Sequence, residues 1–148
     1  MTAKQFLLQS VRIREKMFYI QERIEKLEAD LGYHPLQLDD SGASKASVTD
    51  KVGDKLAEIA DLSNKYIETR LELEKKNEEI RSLIESLDNP TYRSVMSFRY
   101  ISENNRFPTR LNSWVTVAFK VGLPNEDTAR MTHNRALKIL EKNFKCVR

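Results

Sequence analysis

The sequence predicts an all-α chain: a long antiparallel helical hairpin of coiled-coil type, followed by a small C-terminal helical domain. Of the 148 residues, 32% are charged and only 8% aromatic, with 4 Gly and 4 Pro, a balance that suits helices better than a sandwich or barrel. Two long stretches place their apolar residues at alternating steps of four and three. The remaining third breaks into helix-sized segments separated by turn formers.

The first seam runs Phe6, Ile13, Met17, Ile20, Ile24, Leu27 and Leu31, with Ser10 in its one polar gap. This is the narrow stripe of a coiled coil rather than the wider one of a globular helix. Gly32 is expected to end the helix and Pro35 to keep it from resuming. "GYHPLQLDDSGASKASVTD" then has turn formers and no period, so residues 32–49 read as a mobile connection. The second seam is Val52, Leu56, Ile59, Ser63, Tyr66, Arg70, Leu73, Asn77, Ile80, Ile84 and Leu87. Thr49 or Asp50 is its expected cap, and "DNP" at 88–90 its stop. Ser63, Arg70 and Asn77 either fix the register or face water where the shorter first helix has run out. Residues 1–87 thus form an arm, whose hairpin closes within one chain or across a homo-oligomer.

Residues 88–148 read as a separate domain. "TYRSVMSFRYI" is a short helix with Tyr92, Val95, Met96 and residues 99–101 on its apolar side, and the polar loop "SENNRFPTRLNS" follows. Ser113 can cap a helix holding Trp114, Val117, Ala118 and Val121, which Gly122 closes. Asn125 can cap the last helix, whose Ala129, Thr132, His133, Ala136, Leu137 and Leu140 recur at helical spacing. Two helices joined by a tight turn after a first helix are the minimal layout of a helix-turn-helix unit. On spacing alone, two packed helices of a small bundle fit equally well.

Charge favours a nucleic-acid partner. Residues 88–148 carry 11 Lys/Arg against 5 Asp/Glu, whereas residues 1–87 carry 14 against 17. A basic third is the electrostatic footprint of a polyanion-binding module. In a helix-turn-helix, the last helix turns Asn125, Thr128, Arg130, Met131, Asn134 and Lys138 away from its core, where they can meet base edges. Arg135, Lys142 and Lys145 suit phosphates, while Glu126 and Asp127 repel phosphate in the first helical turn.

Other classes find little support. One cysteine, Cys146, forms no internal disulfide, and two histidines, His34 and His133, make no zinc set. There is no Gly-rich phosphate loop, metal-ligand motif or nucleophile elbow, so neither enzyme nor cofactor is expected. Charges interrupt the N-terminus before a signal peptide forms, and no apolar run spans a membrane, which makes a cytoplasmic setting the expectation.

"DKVGDKLAEIADL" at 50–62, "YRSVMSFRYI" at 92–101 and "RALKIL" at 135–140 together resemble, in order and spacing, the phage ArpU-type late transcription regulators. The resemblance implies a helical N-terminal region before a domain similar to region 4 of housekeeping sigma factors. It also implies control of late packaging and lysis genes in a bacterial host, with double-stranded DNA and host RNA polymerase as partners. By motif position, Trp114 and Ala118 match the first helix of the unit, Gly122 its turn, and residues 128–135 its recognition helix. This chain departs from the family in a longer 102–113 loop, which adds Arg106 and Arg110 as candidate backbone contacts, and in a turn one residue longer.

Overall fold

A computed structural model describes residues 1–33 and 42–146, apart from the side chains of 33 and 42–50. All of its regular structure is helical, and no strand occurs among the described residues. The elements are α1 (Ala3–Leu7), α2 (Gln9–Tyr33), α3 (Gly42–Glu85), α4 (Pro90–Met96), a π-helical turn (Ser97–Ile101), α5 (Trp114–Val121) and α6 (Glu126–Cys146). Among the described residues no helix is long and apolar enough to cross a membrane.

The expected single first helix is two. Thr2 and Gln5 form a reciprocal capping box that starts α1, and a break at Leu8 separates it from α2. Gly32 does not terminate α2, which continues to Tyr33; the expected stop at Pro35 lies outside the described residues. The connection expected over 32–49 is helical at both ends, because α3 begins at Gly42. Thr49 and Asp50 are therefore interior residues and not caps. The physical reason is compositional: Ala43, Lys45 and Ala46 are strong helix formers, and α3 contains no proline. At 44 residues α3 is about 66 Å long. It ends at Glu85, where Ser86 Oγ donates to Leu83 O at 2.6 Å and Leu87 N–H donates to Ile84 O at 3.0 Å.

Burial follows the first seam closely. Ser10, Ile13, Ile20 and Leu27 are buried, and Phe6, Met17, Ile24 and Leu31 half-buried. The second seam drifts: Leu56 and Arg70 are exposed, and Thr69 is buried in place of Arg70, with its hydroxyl donating to Lys65 O at 2.7 Å. A straight helix has 3.6 residues per turn, so a strict 3.5-residue stripe rotates by about 20° per heptad and leaves one face for another.

The chain divides into two compact units, 16–71 and a second made of 1–15 with 72–148. The division expected at 87/88 is thus displaced, since α1 and the end of α3 are built into the C-terminal unit. Their side chains explain this. Ala3, Leu7, Ile80, Ile84 and Leu87 share one core with Met96, Tyr100, Ala136 and Leu140. A second cluster joins Val95, Val117, Ala118 and Ala129, flanked by Phe98, Trp114, Val121 and Leu123. In the 16–71 unit, Arg23 Nη2 pairs with Glu58 Oε1 at 3.1 Å, while Phe18, Tyr19, Leu56, Ile67 and Leu71 remain exposed.

Gly122 closes α5 in the left-handed region, at φ 83°. Its N–H donates to Ala118 O at 3.0 Å, a five-to-one bond, and that of Leu123 to the same oxygen at 2.8 Å, the six-to-one bond of a Schellman end. A Cβ at this glycine would meet nothing within 4 Å, so any penalty for a side chain is purely backbone. Gly122→Ala is expected to lower stability by about 1 kcal/mol and Gly122→Asn by less, measured by urea unfolding. Ile84→Ala, in a side chain 1% exposed, is expected to cost about 2–5 kcal/mol in the same assay.

Candidate nucleic-acid interface

The candidate interface draws on α4 through α6. Asn89 caps α4 by accepting from the N–H groups of Thr91 and Tyr92, with Pro90 preset at the first helical position. After Met96 the helix widens into a π turn, which Ser102 N–H closes by donating to Ser97 O at 3.0 Å. Tyr100 in this turn is 1% exposed, and because the helix ends at Ile101 its carbonyl has no partner within the helix. The carbonyl accepts from Arg14 Nη2 at 3.0 Å and faces Ser10 Oγ at 3.4 Å. Burial lowers the pKa of the Arg14 guanidinium, opposed by Glu103.

On the other side, Tyr100 Oη lies 2.8 Å from His133 Nε2 on α6. His133 Nδ1 faces Asn134 Oδ1 at 3.3 Å, and the edge of Trp114 meets the imidazole with centroids 4.8 Å apart. Arg99 covers the other reach of Trp114, its guanidinium 4.1 Å from the ring centroid, and its Nη1 donates to Asn112 O. Burial pushes the Tyr100 phenol up to about 12 and lowers His133 below its usual 6.5, with Arg99 and Lys4 acting in the same direction on the imidazole. His133 is thus a satisfied core histidine, as its inward helical position predicts.

The loop 102–113 is closed by two asparagines. Asn112 Nδ2 donates to Phe98 O and Ser102 O, and Asn104 Oδ1 accepts from the N–H groups of Arg106 and Phe107. Arg106 and Arg110 are exposed and lie over the Phe107 ring at 5.5 and 4.8 Å.

Helix α5 starts at its expected cap, with Ser113 Oγ accepting from Thr116 N–H. Helix α6 starts at Asn125, whose Oδ1 accepts from both the N–H and the hydroxyl of Thr128, at 2.8 and 2.9 Å. Arg130, Met131, Asn134, Arg135, Lys138, Lys142 and Lys145 are all exposed. At 100° per residue they share an arc of about 140°, opposite the buried Ala129, His133, Ala136 and Leu140. Eight of the ten expected DNA contacts therefore belong to the start and outer face of α6, and the other two to the loop.

Two of these residues are less free than their position suggests. Thr128 is half-buried, and its hydroxyl is spent on the cap. Asn125 cannot offer the paired acceptor and donor that adenine requires, because its acceptor is already used twice. Arg130 lies 3.8 Å from Glu126 and 3.5 Å from Asp127, so the two carboxylates of the first turn have a local cation to answer. Spacing did not reveal the π turn, the buried Arg14, the loop clamp of Asn112, or the exposed Val115 and Phe119 on α5.

Among the described residues, no cluster of His, Cys, Asp and Glu is placed to hold a metal. A groove of about 600 Å³ lies between Phe6, Leu83 and Phe144, with Lys76 bound to Glu79 at its edge and Asn143 to Ser86. No family model, curated protein or solved structure matches the chain.

The depressed imidazole gives stability a definite sign with pH. Between its ordinary 6.5 and the lower folded value, the unfolded chain binds a proton that the folded chain does not. Stability from this site is present above about 6.5 and is lost as pH falls towards the folded value. The melting temperature is expected to drop from pH 7.5 to 5.5, and to drop less in His133→Gln; parallel slopes for the two proteins would rule the histidine out as a cause.

Proposed function

We propose that this chain is a sequence-specific DNA-binding transcription regulator that reads the major groove with α6. The observation that carries the reading is the exposed arc of Arg130, Asn134, Arg135, Lys138, Lys142 and Lys145 on a helix that follows a glycine-closed turn. Helix α5 and α6 act as a helix-turn-helix: Ala118 and Ala129 are small and buried in one cluster, which permits close approach of the two helices. Arg130 and Asn134 contact base edges, while Arg135, Lys138 and Lys142 contact phosphates with Arg106 and Arg110 of the loop. The ArpU-type motifs favour late phage promoters as the target and host RNA polymerase as a further partner. The two long helices serve as a hairpin arm, with pairing between copies of the chain as one use.

A second reading, an interaction protein that docks a host complex through the arm, is favoured by the exposed Phe18, Tyr19, Leu56, Ile67 and Leu71 of the 16–71 unit. A packaging-site binder would bind DNA similarly without altering transcription.

Fluorescence anisotropy with upstream late-promoter DNA separates these. With five phosphate contacts, affinity is expected to fall by about 500-fold between 50 and 200 mM salt, as released counterions drive phosphate binding. Lys142→Ala should weaken binding to every duplex and reduce the salt slope by about 0.9, whereas Arg130→Ala should mainly reduce discrimination. No preference for promoter DNA over random duplex would defeat the regulator reading. Reporter transcription that does not respond to a protein that binds would favour the packaging role.

A further inference from the structure

We infer that α6 prefers guanine over adenine at the base opposite Asn134, and that His133 sets this preference as a positioning residue by holding the Asn134 amide with its donor outward. The inference rests on the DNA-reading proposal above and adds the base class and the device that selects it.

The hydrogen-bond chain behind the reading face has one arrangement that satisfies every member. Tyr100 Oη lies in the core and faces His133 Nε2 at 2.8 Å. A neutral imidazole carries one proton. If that proton were on Nε2, the Tyr100 O–H would have no acceptor in this contact, and a buried hydroxyl without a partner is costly. With the proton on Nδ1, Tyr100 donates to Nε2 and Nδ1–H points at Asn134. The atom of Asn134 that faces Nδ1 at 3.3 Å is then the acceptor Oδ1, which leaves Nδ2 for the outside. Asn134 is exposed, whereas His133 is 5% exposed and braced by Trp114, so the histidine orients the asparagine rather than the reverse.

The consequence for reading follows from groove chemistry. Adenine presents an N7 acceptor beside an N6–H₂ donor, and asparagine recognises it with Oδ1 and Nδ2 both directed at the base, which an Oδ1 turned inward to His133 Nδ1 is not. Guanine presents acceptors at both N7 and O6, which match an outward Nδ2. Asn125 does not restore adenine reading, since its Oδ1 already accepts twice from Thr128. The neighbouring Arg135 and Lys138 are also donors only. The acceptors of the first turn, Glu126 and Asp127, face Arg130.

Selection from a randomised duplex library with the full chain, sequenced after several rounds, tests the base preference. Wild-type protein is expected to enrich guanine over adenine about tenfold in one column, and Asn134→Ala to flatten that column while sparing the others. Tyr100→Phe keeps the ring but removes the hydroxyl that fixes the tautomer, so the same column should shift towards adenine. If circular dichroism shows that this variant does not fold, His133→Gln replaces it, because its side chain can meet the Tyr100 hydroxyl without donating to Asn134. A wild-type column enriched in adenine and dependent on Asn134 would overturn the inference while leaving the DNA-reading proposal standing. A column unchanged by the folded variant would remove the positioning role. No enrichment at all would end the DNA-reading proposal, and the base preference with it. Long-range ¹⁵N imidazole spectra of the free protein check the lock without DNA: a proton on Nδ1 of His133 is expected, and one on Nε2 would overturn it.

Discussion

Tyr100 holds the C-terminal unit together from both ends of one residue. Its backbone carbonyl, at the end of the helix, is bound by Arg14 and faced by Ser10 at the start of α2, and its hydroxyl reaches His133 in the middle of α6. The ring between them is buried in the core shared by α1, the end of α3, α4 and α6. Because the helix ends at Ile101, that carbonyl has no partner within it and is open to a donor from elsewhere. One residue thus serves two buried groups: its carbonyl accepts from Arg14, and its hydroxyl meets His133. Both groups would be costly to bury unpaired.

This constraint also explains why the unit is discontinuous in sequence. Residues 1–15 contribute Ala3 and Leu7 to the core and Ser10 and Arg14 to the polar clamp, while Glu141 of α6 accepts from Ala3 N–H at 2.7 Å. A domain cut at residue 88 would lose this cover and expose Tyr100, Met96 and Leu140 to water. The exposed arc of α6 is the opposite face of the same helix, so its orientation is inherited from the packing of Ala129, His133, Ala136 and Leu140. The exposed arc and the core of α6 meet at one residue step, His133 to Asn134.

Much of this was legible in residue order. The all-helical class, the caps at Ser113 and Asn125, the turn at Gly122, and the inward positions of α6 all follow from helical period and side-chain capping chemistry, and each is present in the structure. The outward positions were legible for the same reason. The illegible part has two causes. The 42–49 stretch lacks an apolar period yet is helical, since alanine and lysine favour the helix without announcing a face. The second seam was counted at 3.5 residues per turn over a helix long enough for the difference from 3.6 to move Leu56 and Arg70 to the outside.

Chain order was sufficient for much that depends on neighbours a few residues apart: helix class, the caps of α5 and α6, the turn between them and the sign of charge on either side of residue 88. It could not supply what depends on residues far apart in the chain. Arg14 and Tyr100 are 86 positions apart, and Tyr100 and His133 are 33 apart, so no local period records either contact. The same holds for the partners of the two asparagines at the start and on the exposed face of α6. As a letter, Asn offers an acceptor and a donor alike; in the folded chain Asn125 Oδ1 accepts twice from Thr128 at the helix cap, and Asn134 Oδ1 lies 3.3 Å from His133 Nδ1. Three-dimensional packing determined the second of these, because His133 is held beside Asn134 by Tyr100 and Trp114, which lie far from it in the chain.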